Sequence, residues 1–197
     1  VLKLTGAEVK EWLEMSAGQF NTILPGSTDG ELINTDFPSY NYDVIDGITY
    51  EIDVSQDAKY DKSGNLINAT NNRIKNVQYQ GAAIYESQDF LVVSNNYRAG
   101  GGGNFPGVTS DKIVIDAPNE NRQTVADYLI EMTEANPDTG FDPSADNNWS
   151  FTSINSTTVT FKSSSKDSAQ TFAAGSAAIT YNSTDEDGFG VYTLNLE

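Results

Sequence analysis

The stretch FLVVSNNYRAGGGGNFPG, residues 90–107, contains the features that organise the rest of the chain. It begins with a short apolar run followed at once by turn-forming residues, which is typical of a buried strand. Tyr97 and Arg98 come next, followed after one residue by the glycines 100–103. A glycine row costs backbone entropy, so it is favoured where positive φ angles or a closely approaching ligand require it. The stretch predicts either a flat ligand beside Tyr97 or a flexible turn in which Tyr97 caps the core.

Composition narrows the class of protein. The chain has 197 residues, of which 38% are hydrophobic, which is enough for a globular core in one domain. The formal net charge of −17 would repel nucleic-acid phosphates and anionic membranes. We therefore expect no polymeric nucleic-acid partner and no membrane insertion, and the acidic, Asn/Ser/Thr-rich surface is typical of a secreted or cell-surface protein.

The chain lacks both cysteine and histidine. Thiolate catalysis, cysteine zinc sites, Ser-His-Asp triads and imidazole acid/base chemistry are therefore excluded for this chain by itself. Carboxylates are abundant, but no pair is distinguished by its spacing as a general acid and base. The glycine row is followed by Asn104 rather than by the Lys and hydroxyl of a P-loop. We predict no catalytic residue, metal site or cofactor in this chain.

The residues before the glycine loop predict two strands, a helix and a hairpin. Residues 1–4 are apolar enough for a strand, and Thr5 and Glu8 have the spacing of a capping box. Apolar residues then recur at helical spacing over about four turns, namely Val9, Trp12, Leu13, Ala17 and Phe20. Alternation over residues 48–54 predicts a half-buried strand, and residues 73–84 predict a hairpin that turns at Gln80 and Gly81.

The residues after the glycine loop predict a second helix and several short strands. Residues 112–115 are strand-like, and Asn119 is positioned to cap a helix that ends near Ala135. Its expected buried stripe consists of Val125, Tyr128, Leu129 and Met132. Segments 149–154, 157–163, 177–181 and 190–196 are strand-like, and 166–174 is a weak helix. The pattern predicts one α+β domain over residues 1–197, with one mainly antiparallel or mixed sheet packed with two main helices.

Two acidic segments resemble parts of cation sites. The fragment DKSGN, residues 61–65, has incomplete spacing for a calcium loop. Asp185, Glu186 and Asp187 precede a glycine. We expect solvated turns at both places.

Taken together, these segments resemble the C-terminal domain of the bacterial 5′-nucleotidase family. The branch that they resemble most contains the 2′,3′-cyclic-nucleotide 2′-phosphodiesterase/3′-nucleotidases. The resemblance is carried by LTGAEVKEWLEMSAGQFN (4–21), YNYDVIDGITYEIDVSQ (40–56), NRIKNVQYQG (72–81), FLVVSNNYRAGGGGNFPG (90–107), NENRQTVADYL (119–129), SADNNW (144–149) and TDEDGFGVYTLNL (184–196).

The resemblance implies that a second domain carries out the catalysis while this domain binds the nucleoside. In this family an N-terminal metallophosphoesterase domain holds a pair of divalent metal ions, and the C-terminal domain stacks the nucleoside base between two aromatic rings. This chain then corresponds to the C-terminal domain alone, truncated at its N-terminus and inactive in isolation, with that N-terminal domain as its partner. We expect the intact protein to hydrolyse 2′,3′-cyclic nucleotides and 3′-nucleotides in the periplasm, at the cell wall or outside the cell.

The resemblance also implies which residues contact the nucleoside. Tyr97 matches one stacking aromatic, while the other corresponds to Tyr42 in one branch and lies before Val1 in the other. An Asp common among relatives falls here at Gly103, so sugar contacts would come from the loop backbone or from an asparagine. Arg98 would contact the ligand or pair with a carboxylate. The expected binding residues are Tyr97, Asn95, Asn96, Arg98, Gly101, Gly102, Gly103, Asn104 and Tyr42.

Two alternatives remain open from the sequence. One is the C-terminal domain of a 5′-nucleotidase or UDP-sugar hydrolase. The other is a non-enzymatic surface binding module, which the acidic composition permits.

Overall fold

A computed structural model describes residues 1–197 as ten strands and four α-helices. The strands are β1 (Leu2–Thr5), β2 (Gly30–Glu31), β3 (Ile48–Ile52), β4 (Ile74–Tyr79), β5 (Ala82–Ala83), β6 (Asp89–Val92), β7 (Trp149–Phe151), β8 (Thr158–Ser164), β9 (Ile179–Thr184) and β10 (Phe189–Asn195). The helices are α1 (Gly6–Ser16), α2 (Asn96–Ala99), α3 (Asn121–Ala135) and α4 (Asp167–Ala174). The predicted α+β class is confirmed.

The strands form three sheets rather than the single sheet that we predicted. β1 pairs with β6 alone, and the two four-stranded sheets have the orders β2-β8-β10-β9 and β5-β4-β3-β7. Both larger sheets are mixed, because β2 runs parallel to β8 and β7 runs parallel to β3. The prediction was wrong on this point because alternation shows which face of a strand is buried but does not specify its pairing partner.

The first strand of the chain pairs with β6, the strand that leads into the glycine loop. β1 pairs antiparallel with β6, with Leu2 opposite Val92 and Leu4 opposite Phe90. The predicted capping box is confirmed: the N–H of Glu8 donates to the Thr5 hydroxyl at 3.3 Å, and the N–H of Thr5 donates to the Glu8 carboxylate at 2.8 Å. The box begins α1 directly after β1, so α1 is fixed relative to β6.

The predicted apolar face of α1 is confirmed. Val9, Trp12 and Leu13 on α1 are buried, as are Ala17 and Phe20, which follow it. These residues belong to a core cluster of 23 buried residues that also includes side chains from β1, β3 and β4. α1 is therefore packed into the core from which the glycine loop extends.

A buried carboxylate joins α1 to β4. Glu14 is fully buried and accepts the backbone N–H groups of Arg73 at 2.9 Å and Ile74 at 3.0 Å. Burial raises the pKa of Glu14, although the two backbone hydrogen bonds oppose the shift. The Arg73 guanidinium donates in turn to the carbonyls of Ala17 and Phe20. This polar network satisfies the backbone groups at the junction of α1 with the sheet.

Most of the remaining local predictions are confirmed. β4 and β5 form the expected hairpin, whose turn residues Gln80 and Gly81 have φ of 52° and 77°. The strands β3, β7, β8, β9 and β10 and the helix α4 occur where the sequence pattern indicates them. The strand predicted over residues 112–115 is reduced to an isolated antiparallel bridge between Ile113 and Leu2. Residues Ser110–Lys112 form a 3₁₀ turn, and the Lys112 ammonium instead donates to Glu8 at 2.7 Å.

α3 lies where the sequence predicts it, but the apolar stripe that was expected to be buried is not. α3 spans Asn121–Ala135, but its N-cap is Glu120 rather than Asn119, and no side chain caps it. None of its residues is buried, and Val125 and Tyr128 are 58% and 52% exposed. Helical periodicity identifies an apolar face, but it does not supply an element to cover that face. No helix of the chain is long and apolar enough to cross a membrane.

Candidate ligand-binding site

The glycine loop begins with the short helix α2, which is capped by an asparagine. The Asn95 side chain accepts the backbone N–H of Arg98 at 2.8 Å, and the Asn96 side chain accepts the N–H of Tyr97 at 3.0 Å. Asparagine is favoured at such caps because its short side chain reaches the unpaired N–H groups of the first turn. The side-chain oxygens of Asn95 and Asn96 are thus used within the protein, while their amide NH₂ groups have no protein partner.

The ring of Tyr97 lies over the backbone of Gly102. A Cβ atom built on Gly102 would lie 2.5–2.6 Å from three consecutive ring atoms, so the contact is with the face of the ring. Tyr97 is nevertheless 61% exposed. One face of the ring is thus supported by the loop and the other is open to solvent. This arrangement suits a flat ligand that stacks on an aromatic ring.

Arg98 is buried, and both terminal nitrogens of its guanidinium donate hydrogen bonds inside the protein. The side chain is 6% exposed and lies 4.0 Å from the centroid of the Phe105 ring. Nη1 donates to Asn41 Oδ1 and the Gly102 carbonyl, and Nη2 donates to Asp43 Oδ1 and the Tyr40 carbonyl. Nε lies 2.8 Å from Asp43 Oδ2 in an ion pair. Of the two roles considered for Arg98, pairing with a carboxylate is the one present here. The four N–H groups on the two terminal nitrogens are therefore occupied within the protein.

At each inner position of the row, the local structure disfavours any residue with a side chain. Gly101 and Gly103 have φ of 95° and 83°, a region that side-chain-bearing residues rarely adopt. Gly103 also faces the guanidinium, since a Cβ there would lie 2.1 Å from Arg98 Nη1. Gly102 is required by the Tyr97 ring. The expected positive φ angles are therefore present, and the groups that approach the backbone closely include the protein's own Tyr97 and Arg98.

Asn104 ends the loop with an exposed side chain. Its backbone is left-handed, with φ of 58°, and its backbone N–H donates to the Gly101 carbonyl at 3.1 Å. Its side-chain amide makes no hydrogen bond to the protein. The DKSGN turn packs beneath it, because a Cβ on Gly64 would lie 2.2 Å from the Asn104 carbonyl oxygen. That turn is held internally by Asp61, which accepts the N–H groups of Ser63 and Asn65 at 2.8 and 2.9 Å. The fragment thus supports the glycine loop.

Tyr42 lies in an aromatic cluster rather than at an exposed position. Its ring makes edge contacts with Phe20 at 5.3 Å and with Trp149 at 6.2 Å. Its hydroxyl is buried without a hydrogen-bond partner, and burial raises its pKa. Tyr42 also lines a cleft of about 660 Å³ between the end of β6 and residues 42–48, together with Asn95 and Arg98. The structure thus brings Tyr42 to the same cleft wall as these two predicted residues.

Three residues of the segment Tyr40–Asp43 belong to the site and were missed by sequence reasoning. The Asn41 and Asp43 side chains and the Tyr40 carbonyl bind Arg98. The Tyr40 side chain is 76% exposed, and its backbone is held by the same guanidinium that holds Gly102. No local signal could have linked this segment to Arg98, because the partners are 55–58 residues apart in sequence.

The acidic side chains do not assemble a metal centre. No group of three or more Asp or Glu side chains is arranged to hold a metal ion. Asp185 instead accepts the backbone N–H of Phe189 at 2.8 Å and pairs with Lys162, which closes the turn between β9 and β10. The residues of this chain therefore do not fit the dinuclear centre of a metallophosphoesterase.

The fold and the loop define an α+β domain with an exposed aromatic ring beside a glycine loop. Comparison with known proteins gives its family. The 5′-nucleotidase C-terminal domain family matches residues 1–110, and the chain belongs to that family. The matched region includes α1, β3, β4, β6 and the whole glycine loop.

Relatives match over the whole chain. This chain is 50% identical over 199 residues to the trifunctional nucleotide phosphoesterase protein YfkN of Bacillus subtilis. The match covers 100% of this chain and 13% of that protein. It is 42% identical over 204 residues to a 2′,3′-cyclic-nucleotide 2′-phosphodiesterase/3′-nucleotidase of Salmonella typhimurium, covering 100% of this chain and 31% of the relative. The chain therefore corresponds to less than a third of these relatives.

A solved structure is also similar. It is a crystal structure of a Staphylococcus aureus protein assigned as a 5′-nucleotidase, determined in complex with alpha-ketoglutarate. The TM-score is 0.56 at 26% identity, over 76% of this chain and 26% of the other. The likeness agrees with the family assignment from sequence.

Proposed function

We propose that this chain binds the nucleoside part of a nucleotide, with the base stacked on the open face of Tyr97. The observation that carries the proposal is the Tyr97 ring, supported on one face by Gly102 and exposed on the other. Stacking of a base on an aromatic side chain contributes about 1–3 kcal/mol and requires one accessible ring face.

Polar contacts to the sugar would come from the asparagines around the loop. Asn95, Asn96 and Asn104 each have a free side-chain amide NH₂, and such groups can donate to ribose hydroxyls. Backbone groups of residues 101–103 border the same surface. Arg98 contributes indirectly, since its terminal N–H groups are already hydrogen-bonded within the protein.

For the whole protein we propose a bifunctional 2′,3′-cyclic-nucleotide 2′-phosphodiesterase/3′-nucleotidase. Relatives with that name match over the whole of this chain, which is 30–31% of their own length, and these matches support the choice. The phosphoester hydrolysis would be carried by an N-terminal metallophosphoesterase domain with a pair of divalent metal ions. Residues 1–197 would supply nucleoside binding and no catalytic group.

The binding step is tested by titrating the purified full protein with adenosine. We expect saturable binding, and we expect Tyr97→Ala to weaken it by roughly 5- to 150-fold, the equivalent of the lost stacking. Tyr85→Ala is the matched control, because Tyr85 is 75% exposed and lies at the opposite end of β6. A protein that is folded and does not bind adenosine would contradict the proposal. Equal losses of adenosine affinity in both variants would show that Tyr97 does not contact the ligand.

A second candidate for the whole protein is a 5′-nucleotidase or UDP-sugar hydrolase. The similar solved structure, assigned as a 5′-nucleotidase, favours it. Hydrolysis rates with 2′,3′-cyclic AMP, 3′-AMP, 5′-AMP and a UDP-sugar separate the candidates. A preference for 5′-AMP or the UDP-sugar would replace our proposal with this one.

We further propose that the protein acts outside the cytoplasm. The net charge of −17 and the Asn/Ser/Thr-rich composition support an exported protein. Fractionation of the producing cells, with antibody detection, tests this. Recovery in the cytoplasmic fraction alone would contradict it.

A further inference from the structure

We propose that Asp43 is a positioning residue for the ligand loop, which we define as residues Tyr97–Asn104. The inference rests on the proposed nucleoside binding for its functional consequence. Its structural part concerns how the open face of Tyr97 is held in place.

The Asp43 carboxylate contacts one edge of the Arg98 guanidinium through both of its oxygens. Oδ2 lies 2.8 Å from Arg98 Nε, and Oδ1 lies 3.1 Å from Nη2. Such a two-point contact fixes orientation as well as distance. Asp43 supplies the one carboxylate within 4.0 Å of this guanidinium.

The carboxylate itself is fixed to α1. The indole Nε1–H of Trp12 donates to Asp43 Oδ2 at 2.8 Å. The backbone N–H of Asp43 donates to the Ser16 hydroxyl at 2.7 Å, and that hydroxyl lies 2.6 Å from the Asp43 carbonyl. Both Trp12 and Ser16 are buried. Asp43 is therefore anchored on the core through its side chain and its backbone.

Hydrogen bonds from the other N–H groups of Arg98 connect the anchored Asp43 to the ligand loop. Nη1 donates to the Gly102 carbonyl and to Asn41. Gly102 lies directly under the Tyr97 ring. The contacts thus form a continuous series from α1 through Asp43, Arg98 and Gly102 to Tyr97.

The charge of Asp43 matters because the guanidinium is buried. A buried charge that loses its partner is strongly unfavourable, so Arg98 would move or draw in water. Either response removes the support from the Gly102 carbonyl. The ligand loop would then sample other conformations, and fewer of them would present the open ring face.

The first test measures the loop without a ligand. In Asp43→Asn we expect the amides of Gly101, Gly102 and Asn104 to exchange hydrogen about tenfold faster or more than in the wild type. The matched control is Asp185→Asn, the same substitution at a carboxylate that pairs with Lys162 in the turn between β9 and β10. Unchanged exchange in Asp43→Asn, or equal acceleration in the control, would overturn the inference.

The second test uses adenosine and a double-mutant cycle. We expect Asp43→Asn to weaken binding about tenfold, and to weaken it by less than about twofold when Tyr97 is already alanine. A residue that only stabilises the fold would not show this dependence on Tyr97. Additive effects would therefore overturn the inference.

Two further outcomes separate the inference from the proposed function. If the wild type does not bind adenosine, the proposed function fails and the exchange measurement alone decides the role of Asp43. If Asp43→Asn does not fold, Asp43→Glu retains the charge and displaces the carboxylate by one methylene. Wild-type affinity and exchange in that variant would overturn the inference.

Discussion

The ring of Tyr97 and the backbone of Gly102 are in direct face contact, and the contact leaves no room for a side chain at position 102. Gly102 does not have a positive φ, unlike its neighbours Gly101 and Gly103. The glycine at this position is therefore required by the ring. This contact is what keeps one face of Tyr97 supported while the other stays open.

A methyl group at position 102 should displace the ring. We expect Gly102→Ala to destabilise the protein by about 1–3 kcal/mol through overpacking. We also expect it to weaken adenosine binding, because the ring must tilt away from the loop. Urea unfolding and adenosine titration measure the two effects.

The control for this substitution is Gly175→Ala. Gly175 also has a negative φ, but a Cβ there would meet its nearest atom at 3.5 Å, an ordinary contact. We expect little change in either measurement. Unaltered adenosine affinity in Gly102→Ala would show that the Tyr97–Gly102 contact does not support binding.

The parts of the fold that could be predicted are those whose signals are local. The capping box of Thr5 and Glu8 lies within one turn, and the turn at Gln80 and Gly81 needs only its own residues. Both were predicted correctly because capping and left-handed turns depend on short-range hydrogen bonds and backbone sterics.

The ligand loop illustrates what the sequence could not supply. An exposed Tyr97 beside a glycine row was one of the two alternatives that the local sequence left open, and the structure shows Tyr97 61% exposed. The partners of Arg98 lie in residues 40–43, and no periodicity or spacing connects them with residue 98. Tertiary packing alone determines that Arg98 points into the protein.

Removal of the buried carboxylate of Glu14 should be among the most destabilising single changes. Glu14→Ala leaves the backbone N–H groups of Arg73 and Ile74 without acceptors, and each unsatisfied buried group costs about 1–3 kcal/mol. We therefore expect a loss of roughly 2–6 kcal/mol in the free energy of unfolding.

Urea unfolding of Glu14→Ala and Glu86→Ala compares the buried carboxylate with an exposed one. The exposed substitution should change stability by less than about 0.5 kcal/mol. A Glu14→Ala variant as stable as the control would mean that the two N–H groups find other acceptors.

Glu8 should make stability depend on pH in the acid range. Burial raises the pKa of Glu8, but the hydrogen bonds from Lys112 and Thr5 outweigh it and hold the pKa below the ordinary value of 4.5. A carboxyl whose pKa is lower in the folded state stabilises the fold above its unfolded pKa. That contribution is lost as the pH falls from about 4.5 through the lowered pKa of the folded state.

The variant Glu8→Gln lacks this titration. We expect wild type to be more stable than the variant at about pH 7, and the difference to shrink at about pH 3. Urea unfolding at both pH values measures it. A difference that is constant, or that grows in acid, would contradict the assignment of the ion pair with Lys112 as stabilising.

The exposed apolar face of α3 should contribute little to the stability of this chain. Val125 is 58% exposed, so Val125→Ser removes few contacts, and we expect a change of less than about 0.5 kcal/mol in the free energy of unfolding. The matched substitution Val9→Ser introduces a hydroxyl at a site that is 1% exposed. It should cost about 2 kcal/mol or more, because apolar contacts are lost and the hydroxyl is buried. Comparable losses at the two positions in urea unfolding would mean that α3 packs its apolar face against the domain in solution, as its sequence pattern predicts.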